Sequence, residues 1–123
     1  MIKLVSTVLV GAAALAAAPA VAGTPRPTSK PQKKTVTVQD NYYGPAKEAV
    51  NRDSLITWEW TDESADVHDV KLVSGPKGFR RFQAEPASAG YRYSKRLTKP
   101  GTCKFICTLH EDDGMKMTIV VRH

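Results

Sequence analysis

Apolar residues recur at every second position over most of the chain from Thr35 onward, the period of a strand with one face buried and the other wet. Val36 and Val38 alternate with threonine and Gln39, and Leu55–Trp60 places Ile56, Trp58 and Trp60 on one face. In Val67–Val73, Val70 and Leu72 point the same way as His68, which stands at the start of that strand. The alternation returns in Tyr91–Leu97, Thr102–Cys107 and Met117–Val121, while Ala49-Val50 is a short edge segment. Turn chemistry separates these runs: Asp40 to Pro45 with its aromatic anchor, Asn51-Arg52-Asp53, Ser74 to Gly78, and Lys99-Pro100-Gly101. Phe79 to Gly90 is less regular, and a short helical turn is expected between Ala84 and Gly90. No stretch sustains a helical period. Six or seven short strands, with a turn signal about every ten residues, predict an all-β sandwich.

The first residues do not belong to this pattern. Lys3 is a basic n-region, Leu4 to Leu15 is an apolar run, and Ala20-Val21-Ala22 is a small-residue cleavage site, so residues 1–22 read as a signal peptide. The apolar run is shorter than the about 20 residues a spanning helix needs, so no stable membrane insertion is expected. The expected product is exported, periplasmic or secreted, and begins at Gly23. Residues 23–34 hold three prolines, four basic residues and almost no apolar content, which predicts a disordered linker ahead of one domain over 35–123.

Charge changes the picture only once it is located. The chain carries +6, of which Lys3 leaves with the signal and four charges lie in the linker, so the body is near neutral at +1. That argues against a nucleic-acid groove, which requires basic residues clustered on a folded face. The body is still polarised: Asp40 to Asp69 is rich in carboxylates, whereas eight Lys and Arg stand between Lys77 and Lys104 against the single acid Glu85. A docking face for an acidic partner and a merely solvated face both fit that run. The linker is read first as a solubilising tail, with weak association to an anionic cell surface as the alternative.

The chemistry gathers in Gly101–Val121, GTCKFICTLHEDDGMKMTIVV. Two residues separate Cys107 from His110, and four separate His110 from Met115. A thiolate, an imidazole and a thioether in one short loop suit a soft metal ion, as in the blue-copper centre of two His, one Cys and a weak axial Met. A second imidazole must then come from elsewhere. His68 and the terminal His123 are the two candidates; His68 is preferred because a strand would hold it. An exported protein with two cysteines would ordinarily pair them. On one strand, however, Cys103 and Cys107 would lie about 13 Å apart, against the roughly 4.4–6.8 Å a disulfide spans. Cys103 is therefore expected as a small buried apolar residue.

Gly101, Phe105, Cys107, His110, Gly114 and Met115 together resemble the closing signature of the plastocyanin branch of the cupredoxins. The Trp58 strand followed by His68-Asp69-Val70, and the Asp40–Pro45 element, are similar to the family's earlier motifs. The sequence departs from the family pattern at Leu109, where Pro is common, and at Met117, Cys103 and Ile106; Glu111, Asp112 and Asp113 make the ligand loop acidic. The resemblance implies a Greek-key β-sandwich of about seven or eight strands, with one type 1 copper ion bound by His68, Cys107, His110 and Met115. It implies a monomeric shuttle passing single electrons between redox proteins through transient contacts, and no enzyme activity of its own. A copper-binding and delivery protein on the same fold is the alternative, with Cys103, Met117 and the acidic loop as its footing. An adhesion or sensor module with structural copper is a third reading.

Overall fold

The computed structural model describes residues 29–123 together with the isolated Gly11; the rest of the expected signal peptide and residues 23–28, half of the expected linker, lie outside the described residues. Among the described residues nine strands follow one another: β1 Lys33–Gln39, β2 Tyr42–Gly44, β3 Lys47–Asn51, β4 Ser54–Trp60, β5 His68–Ser74, β6 Gln83–Ala87, β7 Arg92–Leu97, β8 Gly101–Ile106 and β9 Lys116–Arg122. They form a four-stranded sheet in the order β2-β1-β4-β7 and a five-stranded sheet in the order β3-β9-β8-β5-β6. β1 runs parallel to β4 and β3 parallel to β9, and the other pairs are antiparallel. The expected sandwich is observed, with two short strands more than its sequence signals.

The alternation seen in the sequence is the alternation of burial. Along β4 the odd-numbered residues are half-buried, while Ser54, Ile56, Trp58 and Trp60 are buried without interruption. Val36, Ile56, Trp58, Leu72, Phe105 and Ile119 meet between the sheets, each 0–1% exposed. Trp58 is the hub: its ring packs at 5.2 Å from that of Phe105 and about equally far from Phe82 and Tyr93, at 6.1 and 6.2 Å. Its indole N–H donates to Met117 Sδ at 3.3 Å, tying the four-stranded sheet to β9. Cys103 lies buried on β8 opposite Ile119, and both cysteines are free thiols.

Three local expectations are corrected. The domain begins earlier than Thr35: Lys33 and Lys34 already pair with β4, Gln32 N–H donates to Ser54 Oγ at 2.8 Å, and Gln32 C=O accepts from Leu55. The turn around Tyr42-Tyr43 carries the three-residue strand β2. The helical turn expected between Ala84 and Gly90 is largely replaced by β6, which pairs with β5 across a register shift between His68 and Val70. β6 is an edge strand, where Pro86 removes no bond from a further neighbour. The irregular pairing is why its sequence lacks a clean period.

Candidate metal centre

His68 opens β5 and is fully buried. Two contacts hold the strand start in place: Trp60 Nε1–H donates to His68 C=O at 3.0 Å, and the Tyr43 hydroxyl donates to the Asp69 carbonyl at 2.5 Å. Burial pushes the Tyr43 phenol far up, so it remains a donor. Cys107 follows the last residue of β8, and the chain from there to β9 is a tight closed loop. Cys107 N–H donates to Met115 C=O at 3.0 Å, Met115 N–H to His110 C=O at 3.2 Å, and His110 N–H to Cys107 C=O at 3.3 Å. Glu111–Asp113 form one 3₁₀ turn inside it, ended by Gly114 at φ 81°, a left-handed conformation glycine adopts without strain.

The loop is also fastened to β5. Asp69, 1% exposed, accepts Thr108 N–H at 2.7 Å on one carboxylate oxygen. The other oxygen accepts the Thr108 hydroxyl and, at 3.1 Å, Gln83 Nε2. A buried carboxylate is tolerated only when its lone pairs are satisfied in this way. Asp69 thus connects the residue after His68 with the residue after Cys107.

These supports bring three donor atoms together. His68 Nδ1 and His110 Nδ1 are 3.1 Å apart, and Cys107 Sγ lies 3.6 Å from His110 Nδ1 and 4.0 Å from His68 Nδ1. Two atoms each bound at about 2.0–2.3 Å to one ion are at most roughly 4.5 Å apart; every separation here meets that limit. The far nitrogen of His68, Nε2, is 2.8 Å from an Asp40 carboxylate oxygen. An ionised carboxylate only accepts, so Nε2 carries the ring proton and Nδ1 offers its lone pair to the centre. Asp40 is itself held by the amides of Asp66 at 3.0 Å and Ala65 at 3.1 Å. The hydrogen bond to His68, and then those from Asp66 and Ala65, hold its carboxyl down at about 2. Burial pushes the Cys107 thiol up, opposed by the backbone amides of Asp69, Leu109 and His110; a soft cation would displace that proton.

Met115 is buried at the end of the loop, and His123 is exposed at the end of the chain. His110 keeps 18% of its side chain exposed, with Nε2 4.0 Å from an Asp66 carboxylate oxygen. It is the one side of the centre that reaches solvent. The partner of His68 is thus a side chain, Asp40. In the sequence an Asp-Asn pair reads as ordinary turn chemistry, and its contact with a residue 28 positions away carries no local signal.

A family model described as copper binding proteins of the plastocyanin/azurin family matches residues 32–122. The chain belongs to this copper-binding family. Its cofactor is copper, and the His68, Cys107 and His110 donor set fits a soft transition metal. Among curated relatives of this plastocyanin/azurin chain, a halocyanin from Natronomonas pharaonis is 28% identical over 80 residues, 64% of this chain and 47% of its own. The match thus spans under half of that relative's length. Among solved structures, a pseudoazurin from Sinorhizobium meliloti superposes with a TM-score of 0.64 at 21% identity, over 75% of each chain. A reduced Cu(I) form of an amicyanin variant gives 0.62 at 24% identity, over 73% of this chain and 82% of that one. At these identities the structures show a shared fold.

Proposed function

We propose that this chain is an exported one-electron carrier whose copper is held by His68, Cys107, His110 and Met115. The observation that carries the reading is the convergence of three donor atoms within 4.0 Å, with the remaining nitrogen of His68 already occupied by Asp40. Copper supplies the redox couple, Cu(II) and Cu(I). The chain supplies a set of donors fixed by two strands and one closed loop, so that the two oxidation states share nearly one geometry. His68 and Asp40 hold a defined tautomer, Cys107 supplies the soft anionic ligand, and Met115 is read as the weak thioether that tunes the potential. The partly exposed edge of His110 is the exit for the electron. With four positions filled by protein, no coordination site is left for a substrate, which is why the chain is read as a carrier and not an enzyme.

The partners are redox proteins bound transiently, and the carrier is a monomer. Copper delivery is less well supported: Cys103 and Met117, the groups that would pass metal on, are 1% and 2% exposed. The test is a visible and paramagnetic-resonance spectrum of the copper-loaded protein, followed by reduction and reoxidation. An intense thiolate-to-copper band that bleaches and returns reversibly is expected. A colourless protein that surrenders Cu(I) to a chelator without cycling would overturn the carrier reading.

Two substitutions probe the centre itself. Met115→Gln is expected to keep copper and lower the reduction potential, because a weak thioether donor at this position would tune it; an unchanged potential in voltammetry would remove Met115 from the ligand set. Asp40→Ala leaves His68 Nε2 and two loop amides without their acceptor. Copper affinity is expected to fall about 10–100-fold, the usual loss for a residue supporting a metal-bound histidine, as read by competition against a copper chelator. Equal affinity in both proteins would show that Asp40 caps the loop and nothing more.

A further inference from the structure

The strand registers collect the charges of this chain at two opposite ends. Lys33 lies beside Leu55, Ser54 beside Leu97, Asn51 beside Arg122 and Gly101 beside Val121. The starts of β1, β4 and β8 and the ends of β3, β7 and β9 therefore share one end of the sandwich. Trp60, His68 and Cys107 stand at the other. Lys33, Arg52, Arg96, Lys99 and Arg122 all belong to the first end and are exposed, and Lys77 joins them because Gly101 lies against Pro76. Asp53 is the acid among them, and among the described residues the ion pair at this end is Arg52 with Asp53 at 4.0 Å. Two of these side chains are steered by backbone carbonyls: Arg96 donates to Asp53 C=O at 2.6 Å and Arg52 to Thr98 C=O at 3.1 Å. At the metal end acids outnumber bases: Asp40, Asp66 and the Glu111–Asp113 turn surround His110, against Lys116 and Arg92, the latter paired with Glu59.

We propose that the basic end is a docking surface for anionic phospholipid headgroups, which holds the protein against a membrane with His110 facing away. Three features favour lipid over an acidic protein. The cations come from separate segments and spread over a whole end, as a fluid field of phosphates demands. The turns 51–54, 75–79 and 98–101 present no exposed large apolar side chain, whereas a protein interface needs an apolar centre. A shallow groove lined by Arg80, Lys95, Arg96 and Lys99 offers a phosphate a seat among several donors. The acidic metal end adds orientation, since a negative surface repels it while attracting the other end. The charge separation holds with or without metal; only its consequence, an outward electron exit, rests on the proposed function.

The test is co-sedimentation of the copper-loaded protein with phosphatidylcholine vesicles, with and without about 30% phosphatidylglycerol, at low and high ionic strength. Binding is expected to the phosphatidylglycerol vesicles alone and to disappear in high salt. The double variant R96E/K99E is expected to lower the partition coefficient by at least about tenfold, with an unaltered visible spectrum and melting curve. K33E/R122E repeats the measurement should the first pair fold poorly. No partition of the native protein at low ionic strength overturns the proposal, as does equal binding of native and variant protein. Retention on immobilised polyglutamate without vesicle binding would assign the face to an acidic protein and overturn the lipid assignment. The spectrum recorded on the same samples separates a failure of docking from a failure of the copper site.

Discussion

Cys107→Ser is expected to abolish the intense visible absorption of the copper-loaded protein and to weaken copper binding beyond the roughly 10–100-fold that a supporting residue is worth. Serine keeps the size and the loop. Cys107 N–H still reaches Met115 C=O, and Asp69 still fastens Thr108, so the scaffold of the site is unchanged. What disappears is the one soft anionic donor among the three that converge, leaving two imidazoles and a hydroxyl that does not ionise. Spectroscopic copper titration of native and variant protein reads both effects. Cys103→Ser is the control: its side chain faces Ile119 in the core, so it should leave the spectrum intact. An unchanged spectrum in Cys107→Ser would remove the proposed ligand set altogether.

Trp58→Ala is expected to cost about 3–5 kcal/mol of stability, the usual loss for truncating a buried large aromatic. Against the roughly 5–15 kcal/mol of a typical domain, that is a large fraction. The reason is local: Trp58 is fully buried, touches three other rings, and bonds through Nε1 to Met117 in the opposite sheet. Alanine leaves a cavity between the sheets that neighbours on paired strands cannot collapse to fill. Urea unfolding of the metal-free protein measures it without the contribution of bound copper. A loss under about 1 kcal/mol would mean that the two sheets close without this residue.

The parts of the fold and the site that could be read in advance are those encoded over short distances. The alternation in Leu55–Trp60 and Tyr91–Leu97 is a direct image of one face buried and one wet, so the sandwich was legible. The loop of Cys107, His110 and Met115 was legible because its groups lie within nine consecutive residues. His68 could be ranked above His123 because a strand start presents its residue to a fixed face, and the structure brings His68, not the exposed His123, to Cys107 and His110. β6 was not legible, since an edge strand with a slipped register and a proline has no period to detect.

The sequence alone therefore determined the strand faces, the family signature and a sulfur- and imidazole-bearing loop, because each depends on neighbours a few bonds apart. Only the tertiary structure decided that Asp40 selects the tautomer of His68, that Asp69 binds the ligand loop to β5, and that bases dominate one end and acids the other. Those contacts depend on which strands pair and in what register, and pairing is a property of the closed sandwich, settled by burying both apolar faces at once.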